Sequence, residues 1–557
     1  MIKRRIATAL LVCVLAAGTA SADSFTVELR VDASKPGEPL PPFWRFFGAD
    51  EPNYATMKDG RKLLAELGAL RPGDIYFRAH NLLNTGDGTP AFKWGSTNAY
   101  TEDAQGSPVY DWHIVDHLFD TYLARGVRPY AQIGFMPQAL STAPNPYQHQ
   151  WRPGFDYGLI TGGWAYPPRD YSRWAELVYQ WVKHCVERYG RAEVEKWYWE
   201  VWNEADGPAY WHGTNEDFYK LHDYAVDAVR RALPTARVGG PDSANGSSEL
   251  TKGFLDHVVS GRNYVTGKTG TPTDFMSFHA KGAPEFVDGH VRMGIGTHLS
   301  RIDRAFALIA ATPLKSKPIV IGESDPEGCA ACQGPQLGYR NGTMYSSYTA
   351  ASFARKQMLA ARYGVRLDGA LTWAFEFEDQ PYFAGFRALA SSGIDLPVLN
   401  VFRMFAKMDG RRLNAVSSAE VPLDKMLAAG VREQADVAAI ASINRDIVSI
   451  LVWHYHDDDV PGPDAAVQLS LTGLPRGASQ ATVTHYRIDD QHSNAYAEWK
   501  RLGSPLAPDQ KTYLRLEQAG QLTRLSAAET ASVKRGGLQL SFTLPRQGVS
   551  LVQLQLK

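Results

Sequence analysis

The chain is constrained most by an ordered alternation of strand-like and helix-like segments running from Phe43 to Met408. The strand candidates are Trp44–Ala49, Asp74–Ala79, Arg128–Phe135, Trp197–Trp202, Arg237–Pro241, Asp274–His279, Pro318–Glu323 and Gly369–Phe375. Between and after them lie helical patterns, Arg61–Leu70, Val115–Arg125, Tyr171–Tyr189, Asp217–Leu233, Leu250–Val259, Leu299–Ala311, Ser347–Tyr363 and Pro397–Met408. Successive parallel strands need a crossover long enough to hold a helix, so this order predicts a parallel sheet. Eight such units, with apolar strands, fit a (β/α)8 TIM barrel. The competing fold is an open doubly wound sheet. That fold normally carries a glycine-rich phosphate loop after its first strand, and none occurs there.

From Leu413 the texture changes to short β-rich segments separated by turn residues, among them Val437–Ile443, Ile447–His454 and Ser550–Leu554. This reads as a β-sandwich. The expected organisation is a signal peptide over 1–22, an N-terminal strand and linker over 23–42, the barrel over 43–412 and the sandwich over 413–557. Residues 24–34 alternate polar and apolar and can add a strand to the sandwich, tying the chain ends together.

The N-terminus carries Lys3-Arg4-Arg5, an apolar run from Ile6 to Ala16, and Ala20-Ser21-Ala22. That is the pattern of an export signal cut after Ala22, and it predicts a periplasmic or extracellular protein. No later stretch is apolar enough to span a membrane once the signal is removed. A net charge of −1 without long runs of one sign gives no support for nucleic-acid binding. The oligomeric state is not readable. Cys13 leaves with the signal, and Cys185 reads as a buried free thiol. In an exported chain Cys329-Ala-Ala-Cys332 reads as a small disulfide loop, because a zinc site would need two further ligands that the nearby sequence does not supply.

Catalytic groups of a barrel come from the C-terminal ends of its strands. Strand four ends Trp199-Glu-Val-Trp-Asn203-Glu204, and strand seven ends Ile319-Val-Ile-Gly-Glu323. Three tryptophans and a valine precede Glu204, so its surroundings are expected to be apolar, which keeps a carboxyl protonated as a general acid requires. Asn203 supplies an amide suited to a hydroxyl. Two strand-end glutamates facing each other about 5–5.5 Å apart would be the arrangement of retaining glycoside hydrolysis. His80, His279, Lys281, Trp373 and Glu376 stand at the ends of strands two, six and eight as candidate substrate contacts. Metal-assisted hydrolysis would want histidine clusters with ligand spacing, which are lacking, so neither metal nor cofactor is expected.

These motifs, in this order, resemble glycoside hydrolase family 39, whose best-known members are β-xylosidases. The resemblance covers most of the chain. It implies Glu204 as acid/base, Glu323 as nucleophile, Asn203 on the sugar 2-hydroxyl, His80 and His279 lining the glycone pocket, and Trp373 as the aromatic after strand eight. Two positions depart from the better-known β-xylosidases. Lys281 stands where they carry an aromatic, and Ser324–Cys332 replaces the usual turn after the nucleophile. The same family fold resembles α-L-iduronidases, which take a uronate.

The first functional reading is therefore an exo-acting β-xylosidase on xylo-oligosaccharides. A second is a retaining glycosidase on another glycone: an arabinopyranoside, a glucoside, a uronate or an exopolysaccharide. A reading from another class is a non-catalytic carbohydrate-binding protein on the same barrel. In each case the partner is an oligosaccharide or polysaccharide.

Overall fold

The computed structural model describes residues 24–156, 160–475 and 477–557. The export-signal reading lies outside them. Eight parallel strands close into a barrel: β1 (Phe46–Ala49), β2 (Ile75–Ala79), β3 (Val127–Ile133), β4 (Tyr198–Val201), β5 (Arg237–Ser243), β6 (Phe275–Lys281), β7 (Pro318–Asp325) and β8 (Arg366–Thr372). Closure comes where Leu371 and Thr372 of β8 meet Phe46 and Phe47 of β1. Around it run α1 (Lys58–Leu70), α2 (His113–Leu123), α3 (Tyr171–Tyr189), α4 (Asn215–Ala232), α5 (Glu249–Ser260), α6 (Ile295–Ala310), α7 (Thr343–Tyr363) and α8 (Pro397–Ala406).

The two-residue period of a strand decides which side chains enter the barrel. Tyr76, Tyr130, Tyr198, Phe275 and Phe46 stack in one interior layer, with ring centroids 5.0–5.2 Å apart for the closest pairs. Two residues further along their strands stand Arg78, Gln132, Glu200 and Ser277, so the aromatic floor is followed by a polar layer. The residues that alternate with these face outward. Trp199 meets Trp181 of α3 edge-on at 5.2 Å, and Trp197 meets Phe119 of α2.

α3 begins where the Asp170 side chain accepts from the Ser172 and Arg173 amides. Its buried Trp174, Leu177, Val178, Trp181 and Cys185 form one stripe at helical spacing. α4 opens with a reciprocal capping box between Thr214 and Asp217, an arrangement whose loss costs about 1 kcal/mol.

The other domain is a ten-stranded, mostly antiparallel sheet with its own core, in which Val27, Leu29 and Val31 pack with Val448, Ile450, Val467 and Leu469. The N-terminal strand Phe25–Asp32 belongs to it. It runs parallel to Ala465–Thr472 on one side and antiparallel to Arg411–Ser417 on the other. The sequence pattern suggested only strands in this region, yet helices occur as well: besides the short Leu423–Ala429 there are two further along, Ala495–Arg501 and Gln510–Gly520. The starts of these two are set by Asn494 and Asp509, whose side chains accept from the Ala497 and Thr512 amides. The first packs Tyr496 and Trp499 against Phe383 of the loop after β8. Trp453 is core, its indole donating to Asp436. Among the described residues no helix is long and apolar enough to cross a membrane.

Candidate active site

The polar layer is organised by Arg78, which is fully buried. Its guanidinium donates to Glu200, to Asp242 and, at 2.9 Å, to the side-chain Oδ1 of Asn203, and its remaining nitrogen lies 3.5 Å from Glu323. Burial opposes that charge, but Asp242, Glu200 and Glu323 outweigh it and raise Arg78 above its ordinary value. Arg78 thus orients the Asn203 amide, whose NH2 is buried without a protein partner. A buried unpaired donor is costly, so it marks a place where a ligand acceptor fits.

Glu204 follows at the end of β4 with a φ of 47°, and its amide donates to the Asp242 carbonyl at 2.9 Å. Asn81, Trp202 and Asp242 also have positive φ, so backbone that non-glycine residues seldom adopt clusters at this end of the barrel. The contacts of Glu204 correct the expectation of apolar surroundings. Trp197 and Trp199 alternate away from it, Trp202 packs its ring on Trp174 and Trp211, and the Glu204 carboxylate lies 2.7 Å from His279 Nδ1. The other ring nitrogen of His279 lies 2.8 Å from Asp242. Burial opposes a charge on this imidazole, but Asp242 and Glu323 push it up to about 10, so both nitrogens carry protons and donate.

Glu323 is 6% exposed against 17% for Glu204, so it is the deeper of the pair. Lys281 donates to it, with Asp325 3.5 Å from the same ammonium, and His80 Nε2 lies 3.4 Å away. Burial alone would raise its carboxyl, but His279, Lys281 and His80 hold it well below the usual carboxylate range. The strand is irregular between Ile321 and Glu323. A side chain on Gly322 would meet Asp242 Oδ1 at 2.0 Å, so only glycine lets the two acidic strand ends approach this closely. His80 continues the network through Nδ1 to Gln132 at 2.7 Å and through Nε2 to Asp50 at 3.3 Å, and Asp50 is paired with Lys93.

An oxygen of Glu204, an oxygen of Glu323 and a nitrogen of His279 all lie within 4.8 Å of one another. Such a triad could be taken for a metal site, but its chemistry does not fit one. His279 donates from both nitrogens and offers no lone pair, and Lys281 occupies Glu323.

Of the remaining sequence candidates, Trp373 lies against the site. Its ring packs over Gly48, with His80 at 4.4 Å and Arg78 at 5.0 Å. Glu376 does not join the cluster. Its carboxylate turns to the Gly393 amide at 2.7 Å beside Asp59, Glu378 and Lys62, and burial pushes it up to about 8. The reason is local: β8 ends at Thr372, three residues before the expected Phe375, so Glu376 falls in the loop beyond. Cys329 and Cys332 are joined in a disulfide, and the Arg340 guanidinium fills the loop by donating to the carbonyls of Cys329, Ala330 and Cys332. Asp242, Asp50 and Gln132 escaped the sequence reading. The strand-end rule would have found Asp242 had β5 been followed two residues past Pro241.

A model for glycosyl hydrolases family 39 matches residues 27–533. The chain belongs to that family. A β-xylosidase of Geobacillus stearothermophilus is 26% identical over 535 residues, covering 92% of each chain. An α-L-iduronidase of Canis lupus familiaris is 28% identical over 543 residues, 92% of this chain and 76% of the relative. The crystal structure of a monomeric β-xylosidase from Caulobacter crescentus CB15 superposes with a TM-score of 0.74 at 20% identity, covering 95% of this chain and 99% of that one. This family 39 enzyme is thus a glycosidase that hydrolyses O-glycosyl bonds, and its substrate is a carbohydrate.

Proposed function

We propose that this family 39 chain is an exported retaining glycosidase that releases xylose from the non-reducing end of xylo-oligosaccharides. The observation that carries the mechanism is the Glu204–Glu323 pair, whose oxygens lie within 4.8 Å. Inverting enzymes separate their carboxyl groups by about 6.5–9.5 Å to admit a water between them. Glu323, held ionised by Lys281, His279 and His80, attacks the anomeric carbon. The glycosidic C–O bond breaks, and the departing oxygen takes the proton of Glu204. Glu204, now a carboxylate steadied by His279, removes a proton from water. The water oxygen attacks the anomeric carbon, and the bond to Glu323 breaks. The Asn203 NH2 and His80 are the hydroxyl contacts this reading uses.

Exo action is supported by a wall on the Asp50–Lys93 side of Glu323. Phe92, Phe377 and Phe386, from the loops after β2 and β8, form an aromatic cluster with centroids 4.8–5.5 Å apart, and Trp151 meets both Phe92 and Lys93. Export is supported by the disulfide, which persists in oxidising compartments.

One observation favours a second glycone. Lys281 puts an ammonium against the proposed nucleophile, where a uronate carboxylate could compete for it, and the α-L-iduronidase relative is similar in identity to the β-xylosidase, 28% against 26%. Aryl β-xyloside, arabinoside, glucoside and uronides, assayed side by side, separate the readings. Turnover of the xyloside with β-xylose as first product supports the proposal. Turnover of a uronide alone replaces the glycone, and first release of the opposite anomer removes the retaining mechanism.

A further inference from the structure

The long connection between β3 and α3 carries a histidine that nothing above employs. His149 is 7% exposed, and both of its ring nitrogens are buried without a hydrogen-bond partner. Aromatic edges fix its plane. Trp94 meets it at 5.3 Å and 87°, and Trp164 at 5.3 Å and 60°. Both neighbours lead to the site. Trp164 contacts Phe135 and Tyr210, the rings that flank His80. Trp94 follows Lys93, whose ammonium holds Asp50 beside His80. An imidazole that leaves two polar atoms unpaired beside a sugar-cleaving centre is costly unless a ligand completes it.

Its charge state selects the ligand chemistry. Burial, with the Lys93 ammonium nearby, pushes His149 down to about 4, so near neutrality it is uncharged, with one donor and one acceptor. That pair matches a hydroxyl, which both gives and receives a hydrogen bond, and does not match an anion.

We propose that His149 is a specificity-determining residue that hydrogen-bonds a hydroxyl of the glycone ring on the side remote from the scissile bond. This rests on the retaining-glycosidase reading. The Asn203 NH2, beside the acid/base, takes the hydroxyl next to the anomeric carbon. His149, beyond His80 and Asp50, takes one across the ring. Trp94 and Trp164 fix the orientation of its ring.

The test uses the full-length enzyme and the aryl glycoside it hydrolyses best, with the 3-deoxy and 4-deoxy analogues of that glycoside. Wild-type enzyme is expected to prefer the parent. His149→Phe, which keeps the ring and removes both nitrogens, is expected to lose roughly tenfold or more in kcat/KM on the parent and almost nothing on one deoxy analogue. Equal losses on all three substrates, or none, overturn the proposal. Should His149→Phe fail to fold, His149→Asn gives the same comparison, because its shorter amide cannot reach as far. Deoxy discrimination unchanged at both positions then overturns it. A wild-type enzyme that hydrolyses no aryl glycoside removes the glycosidase reading and this inference with it, whereas an active wild type with indifferent variants removes this inference alone.

Discussion

The ammonium of Lys281 is bonded to the carboxylate of Glu323, whereas the cation against Glu204 is the His279 imidazolium, whose Nδ1 lies 2.7 Å from it. The two members of the pair are therefore unequal before any substrate arrives. One is steadied by a fixed lysine and the other by a histidine shared with Asp242.

Lys281→Met removes a cation that keeps Glu323 charged. A carboxylate that loses such a neighbour protonates at higher pH, so the acid limb of the kcat/KM profile is expected to move toward neutrality. The profile on an aryl xyloside measures it, and an unmoved acid limb would show that Lys281 does not control the ionisation of Glu323.

Glu204→Ala is expected to lose about 10²–10⁴-fold on unactivated oligosaccharides. It should keep forming the covalent intermediate from activated aryl glycosides, then stall until azide is added. Glu323→Ala should lose both steps. Wild-type turnover of oligosaccharides by Glu204→Ala, or a 2-fluoro-glycoside label on a peptide lacking Glu323, would reassign the roles.

Gly322→Ala inserts a methyl where Asp242 Oδ1 already stands. Asp242 also holds Arg78 and His279, so the displacement is expected to reach Glu204 and cost on the order of a hundredfold in kcat. Wild-type kcat in the alanine variant would mean that the strand ends have more room than the structure gives them.

His279 links stability to pH. Its folded-state value of about 10 exceeds the ordinary 6.5, so its stabilising contribution is complete below 6.5 and is lost as pH rises through about 10. Urea midpoints across that window should fall for the wild type and fall less steeply for Asp242→Asn, which removes the first partner sustaining the charge. Parallel curves would contradict this linkage.

Replacing Cys329 and Cys332 by serine opens a very short loop, so the expected destabilisation is about 2 kcal/mol or less. Arg340 continues to bridge the loop carbonyls. Thermal unfolding measures it. Failure of the double variant to fold at room temperature would show that the disulfide, and not Arg340, organises the loop.

The barrel was legible because a strand–helix alternation repeated eight times admits few folds, and both glutamates lay at strand ends. Their environment was less legible. Counting tryptophans before Glu204 suggested an apolar pocket, whereas the period-two alternation turns Trp197 and Trp199 outward and leaves His279 beside the carboxylate. Glu376 was misplaced because one short strand ended early. His149 and the helices after Asn494 lie in connections whose course is set by side-chain caps and long-range aromatic packing, which periodicity does not register.

The N-terminal strand has consequences for biogenesis. Val27, Leu29 and Val31 are made before the barrel, yet both of their strand neighbours, Arg411–Ser417 and Ala465–Thr472, are made after it. A growing chain therefore carries an unpaired apolar strand through the synthesis of every barrel unit, an invitation to edge-to-edge association until the last domain emerges. A polypeptide cut off after the eighth helix would be left with that edge open, so the shortest soluble form of this enzyme is expected to be close to the whole chain.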